Sequence, residues 1–166
     1  MLRRAHEAPG CLSEALYSDC ETYRYALSRV WDPAAGQLAY VMLNPSTATE
    51  LRNDPTIERC ERRARALGFG GIEIVNLFAF RATLPADLRR ADDPVGPDND
   101  TVLAARCAAA RMVIAAWGVH GALNGRAAEV LRNLSTPLHH LGLTKQGHPR
   151  HPLYVPYAAE PLRWTG

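Results

Sequence analysis

Lysine is nearly missing from this sequence: of its 19 cationic side chains, all but Lys145 are arginine. Paired cysteines are missing too. Cys11, Cys20, Cys60 and Cys107 stand apart with no CxxC between them, which argues against a zinc knuckle or a disulfide framework and leaves reduced thiols as the expectation. No apolar run approaches the roughly 20 residues that a membrane-spanning helix needs, so no membrane partner is expected. The first residues, MLRRAHEAPG, carry two arginines with no apolar stretch behind them. Neither a secretory signal nor an anchor is therefore expected, and the cytoplasm is the expected compartment. Charge of one sign is also lacking. The formal net charge is +2, far from the basic excess that marks a dedicated nucleic-acid binder. A GC-rich genome explains the arginine bias better than phosphate recognition does.

What is present is ordinary globular material. With 166 residues, 47% hydrophobic and 22% charged, the chain suits one soluble α/β domain spanning 1–166, expected as a monomer, with residues 1–20 as a loosely ordered arm. Residues 22–31 alternate, with Tyr23, Tyr25 and Leu27 on one face and Arg24, Ala26 and Ser28 on the other. Residues 38–43 are more continuously apolar. Joined by the turn residues 32–36, the two read as an N-terminal β-hairpin. Asp54 and Pro55 start a helix with Ile57, Cys60, Ala64 and Leu67 inward and Gly68 at its end. Residues 72–77 and 112–117 read as buried strands. A helix from Asp98 or Asp100 to about Arg111, a second through Leu123, Ala127, Val130, Leu131 and Leu134, and a last strand at 138–142 follow. This alternation predicts a three-layer α/β/α sandwich around a mostly parallel core sheet.

In open sheets of this kind, ligands bind beyond the carboxyl ends of the strands. Four segments fall there: 44–47 (NPST), 76–81 (NLFAFR), 117–120 (WGVH) and 147–154 (GHPRHPLY). Asn44, held at a strand end by the following proline, is suited to orient a water, or else closes its own Asx turn. Asn76 ends a buried strand, where its amide needs partners. A nucleobase edge or a neighbouring loop carbonyl would each serve. His148 and His151 sit in a loop broken by glycine and proline, where one imidazole could donate to a developing negative charge or simply be solvated. Their HxxH spacing lacks helical geometry, so no metal is expected. Phe78, Phe80 and Tyr154 are candidates to stack on a flat ligand, with at least one of them core. Ser46, Thr47, Arg59, Arg81 and Arg150 are candidate phosphate contacts, although Arg59, Arg62 and Arg63 read first as a solvated helix face.

The blocks MLNPSTA (42–48), NDPTIERC (53–60), NLFAFRATLP (76–85), AAWGVHG (115–121) and HPLY (151–154) resemble a bacterial and phage family catalogued as a domain of unknown function. A more distant similarity is to the uracil-DNA glycosylase superfamily. There a strand ends in Asp-Pro or Asn-Pro, a second in a base-reading asparagine, a third runs into Trp-Gly, and a His-Pro loop carries the catalytic histidine. That resemblance implies Asn44 as the water-positioning residue, Asn76 as the base-reading amide and His151 as the group stabilising the departing base. Tyr154, Phe78 and His148 would then line the base site. The cysteine spacing does not match the iron–sulfur ligands of some superfamily members, so no cofactor is expected. The implied activity is hydrolysis of an N-glycosidic bond in DNA or a nucleotide, with uracil or another altered base released. Two alternatives stay open: a module that binds a nucleotide or modified base without turnover, and an enzyme of free nucleosides.

Overall fold

The computed structural model describes residues 1–165. Its strands are β1 (Leu2–Ala8), β2 (Cys11–Tyr17), β3 (Arg24–Val30), β4 (Gln37–Met42), β5 (Gly71–Asn76), β6 (Met112–Ala115), β7 (His139–His140) and β8 (Leu162–Arg163). Its helices are α1 (Pro55–Ala66), α2 (Pro85–Arg90), α3 (Asn99–Ala109) and α4 (Arg126–Asn133). The strands form one mixed α/β sheet in the order β1-β2-β3-β5-β4-β6-β7-β8. Pairings among β5, β4, β6 and β7 are parallel. Those of β1 with β2, β2 with β3, β3 with β5, and β7 with β8 are antiparallel. The expectation of a mostly parallel sheet is corrected on this count, because antiparallel pairings outnumber parallel ones.

Two further expectations change. Residues 1–20 are not a loose arm: β1 and β2 form a hairpin that turns at Gly10 (φ 74°) and extends the sheet beyond β3. Only Ser13, Ala15 and Tyr17 of this hairpin are buried, so its apolar alternation is short and diluted by polar neighbours. The anticipated hairpin of β3 with β4 does not form either, since β5 lies between them. The cause is local. The N–H groups of Trp31 and Asp32 both donate to the Gly70 carbonyl at 2.9 Å, so the chain entering β5 occupies the partner position at the end of β3. A Cβ on Gly70 would stand 1.7 Å from the Asp32 carbonyl oxygen, which is why this approach needs glycine.

Helix α1 starts where the sequence predicts. Asp54 caps it by accepting from Ile57 N–H at 2.9 Å, and Pro55 fills the first position. Ile57, Cys60 and Ala64 pack on Leu38, Tyr40, Ile72 and Ile74 on one sheet face. Leu103 and Cys107 of α3 and Val130 of α4 cover Ala39, Val41 and Val75 on the other. Each such large aliphatic side chain contributes about 1.5–3 kcal/mol by leaving water. Arg63, expected on a solvated face, is only 2% exposed. Its guanidinium donates to the carbonyls of Val155, Pro156 and Ala159, strapping the C-terminal segment across α1. No helix among the described residues is long and apolar enough to cross a membrane.

Candidate active site

A cavity of about 600 Å³ opens at the carboxyl ends of β4 and β6, against the first turn of α1. Asn44, Asp54, Trp117, Gly118, His151 and Tyr154 are among its walls. Parallel strands put their chain reversals at this end, so the segments after β4 and β6 meet the loop 143–154 there. The Gly118 N–H donates to the Pro149 carbonyl at 2.9 Å and ties the histidine loop to the end of β6. Gly118 has φ 71°, which suits it to turn the chain directly after buried Trp117.

His151 has one ring nitrogen occupied. Its Nδ1 accepts from the Leu153 N–H at 3.2 Å, across the 3-10 turn Pro152–Tyr154 that begins just after it. A nitrogen that accepts carries no proton, so the neutral ring holds its proton on Nε2. Burial pushes the His151 pKa down, and the Asp54 carboxylate works weakly against that shift. At neutral pH the residue is therefore an uncharged Nε2–H donor on a cavity wall. The Tyr154 ring lies 5.8 Å from it, centroid to centroid, and is 76% exposed at the mouth.

Asn44 is held from both sides. Its Nδ2 donates to the carbonyls of Pro45 at 3.0 Å and Ala82 at 2.8 Å, linking the turn after β4 to the loop before α2. Among the described residues Oδ1 accepts no backbone N–H, so the Asx turn is not formed and Oδ1 is the atom left to accept a hydrogen bond. Asp54 accepts from Ile57 N–H through Oδ1 and from Ala48 N–H at 3.3 Å through Oδ2.

The remaining sequence candidates divide. Ser46 and Arg150 line the cavity with Asn44, His151 and Tyr154. Asn76 does not line it. It is 1% exposed, sits beside the cavity residue Met42 in the parallel register, and both atoms of its amide lack a partner among the described residues. Phe78 is fully buried in the core layer under α3 and is not among the cavity walls, so it offers no ring face to a ligand there. His148 stays in the turn closed by Thr144, whose hydroxyl accepts from the His148 N–H. Thr47 is exposed outside the walls. Arg59 is spent on the carbonyls of Pro152 and Val155. Arg81 and Phe80 border a second, shallower groove that shares Ser46, Ala82 and Thr83 with the first.

Sequence reasoning missed two members of the site. Asp54 was legible only as a helix cap, yet the cap lies on the cavity wall. Arg24 fell on what alternation gave as the polar face of β3, but that strand is covered on both sides and Arg24 is 2% exposed within the cavity lining. An arginine inside a tyrosine-rich strand was the available signal.

A family model described as "Protein of unknown function (DUF1643)" matches residues 24–153. That span contains the first four blocks read from the sequence and most of the fifth. No curated protein and no solved structure gives a significant match, so the more distant glycosylase likeness draws no support from either comparison.

Proposed function

The chain belongs to the DUF1643 family, and from the cavity within that span we propose that it takes a nucleobase-bearing ligand and hydrolyses its N-glycosidic bond. The observation that carries this reading is the tautomer of His151: Nδ1 is engaged by Leu153 N–H, leaving Nε2–H as a neutral donor in the same cavity as Asn44 and Asp54. Breaking a glycosidic bond sends its electron pair to the base and leaves positive charge on the sugar. A donor aimed at the base oxygen or nitrogen lowers that barrier, while the Asp54 carboxylate favours the cationic sugar electrostatically. Asn44 Oδ1 accepts a hydrogen bond from the attacking water and orients it. Water oxygen bonds to the sugar carbon, and its released proton ends on the departed base. Tyr154 offers a ring face at the mouth for stacking. A base within a duplex would first be flipped out.

One feature favours the second reading, binding without turnover. Both Asp54 oxygens already accept backbone N–H groups, which commits the carboxylate to the helix cap and to the loop ahead of it rather than to a cationic sugar. Both readings meet in one experiment, chromatographic detection of free base from oligonucleotides carrying uracil or hypoxanthine and from free nucleosides and nucleotides. Base release from one of these classes, reduced about 100-fold or more in His151→Gln, is the expected result. Thermal stabilisation by a nucleotide with no base released from any substrate would defeat catalysis and leave the binding module.

A further inference from the structure

Among the described residues four arginines are at least 95% buried, and they differ in how many partners they have. Arg29 donates through all three guanidinium nitrogens, to Asn53 Oδ1 and to the carbonyls of Ser28, Thr49 and Arg52. Arg126 likewise engages Leu77 O, Glu129 and Asp100 with its three nitrogens. Arg63 uses both terminal nitrogens on backbone carbonyls, four bonds in all, although its Nε, like that of Arg24, is enclosed without a partner among the described residues. Arg24 stands apart. Among the described residues its Nη1 donates to the Ala48 carbonyl, while its Nε is enclosed without a partner and its Nη2 donates to nothing. A buried guanidinium short of acceptors is costly, because charged donors withdrawn from water are stabilised only by what replaces the water.

Arg24 is also the buried arginine that lines the cavity, and it does so against the first turn of α1. That helix has 12 residues, enough for its aligned peptide dipoles to favour an anion at the N-terminus. Pro55 has no N–H and Ile57 N–H is capped by Asp54, so Thr56, itself a wall residue, carries the uncommitted N–H of the first turn. Among the described residues Asp54 is the one carboxylate in the lining. Its oxygens face Ile57 N–H and Ala48 N–H, and with Arg24 and Arg150 both in the walls the lining keeps a positive excess.

We propose that the floor of the cavity, formed by Arg24 and the first turn of α1, is a binding site for a terminal phosphate, so that the ligand is a phosphomonoester. The choice of a nucleotide as carrier of that phosphate rests on the nucleobase reading above; the anion site itself does not. Depth decides between a terminal and an internal phosphate. Arg24 is 2% exposed and Tyr154 at the mouth is 76% exposed, and the end of a molecule reaches so enclosed a cation more readily than a phosphate flanked by chain on both sides. The ligand would stand with its phosphate on Arg24, its sugar beside Asn44 and Asp54, and its base toward His151 and Tyr154.

Isothermal titration at low salt tests this with inorganic phosphate, the common nucleosides, their 5′-monophosphates, and a dinucleotide whose sole phosphate is internal. The wild-type protein is expected to bind inorganic phosphate and to prefer a monophosphate over its nucleoside by about tenfold or more, with no such gain for the dinucleotide. Arg24→Gln should lose the preference and Arg150→Gln, at the exposed side, should keep most of it. Equal binding of nucleoside and monophosphate, equal binding of monophosphate and dinucleotide, or a preference abolished by Arg150→Gln would each overturn the proposal. Should Arg24→Gln fail to fold, the wild-type ligand series and Arg150→Gln still decide. Base release without a phosphate preference would remove the anion floor and leave the hydrolase, and a phosphate preference without base release would do the reverse.

Discussion

The two ends of β3 carry the same residue in opposite circumstances. Arg29 at one end is 4% exposed and reaches Asn53 and the carbonyls of Thr49 and Arg52, so it pins the loop ahead of α1. Arg24 at the other end is as deeply buried, reaches the same loop once, at Ala48, and faces a cavity. Burial alone therefore does not distinguish a structural cation from a functional one. What distinguishes them is whether the protein itself supplies the acceptors.

The largest effect should come from cutting each arginine. Arg29→Met leaves loop carbonyls and Asn53 without their donor and should cost about 3 kcal/mol or more. Arg24→Met removes a charge with a single partner and should change stability by less than about 1 kcal/mol, both read from urea denaturation with an unchanged slope. Equal losses would erase the contrast. Between the two ends, Ser28 stands opposite Glu73 of β5. Burial raises the Glu73 pKa to about 7, against the pull of Arg106. A carboxyl whose pKa is raised by folding adds stability that is complete below its ordinary range, near 4.5, and disappears as pH climbs through about 7. Stability should thus fall by on the order of 2–3 kcal/mol from pH 5 to pH 8 on this account, and Glu73→Gln should flatten that slope; an unaltered slope would count against the assignment. Asp54→Ala removes the α1 cap and the bond to Ala48 N–H, for a loss of about 1–2 kcal/mol in Tm-derived stability. The smallest effect is expected at Asn76, whose amide has no partner among the described residues to lose: Asn76→Val should stay within about 1 kcal/mol of the wild type.

The sequence was most legible where chemistry is local. Asp54-Pro55 and the spacing of Ile57, Cys60 and Ala64 announce α1 within a residue of its bounds. Strand interiors of β4 and β6 follow from continuous apolar runs, and that of β5 from a short β-branched run interrupted by Glu73. Strand order was not legible, because pairing depends on long-range registry: nothing in residues 22–43 says that β5, about 30 residues later, will enter between β3 and β4. The site follows the same division. Asn44, Ser46, Arg150, His151 and Tyr154 meet because each lies just past a strand or in the loop tied to one. Phe78 was misread because two residues beyond Asn76 the chain has already crossed to the α3 side. Arg24 was hidden because alternation tells two faces apart without telling which is wet, and both faces of β3 are covered.

The most direct test concerns the ring of His151. Long-range proton–nitrogen correlation spectra of nitrogen-15-labelled protein at pH 7 should give Nε2 protonated and Nδ1 bare, with the Nε2 resonance shifting when a nucleotide is added and the tautomer retained. An imidazolium, a proton on Nδ1, or an Nε2 signal indifferent to every nucleotide offered would contradict the account.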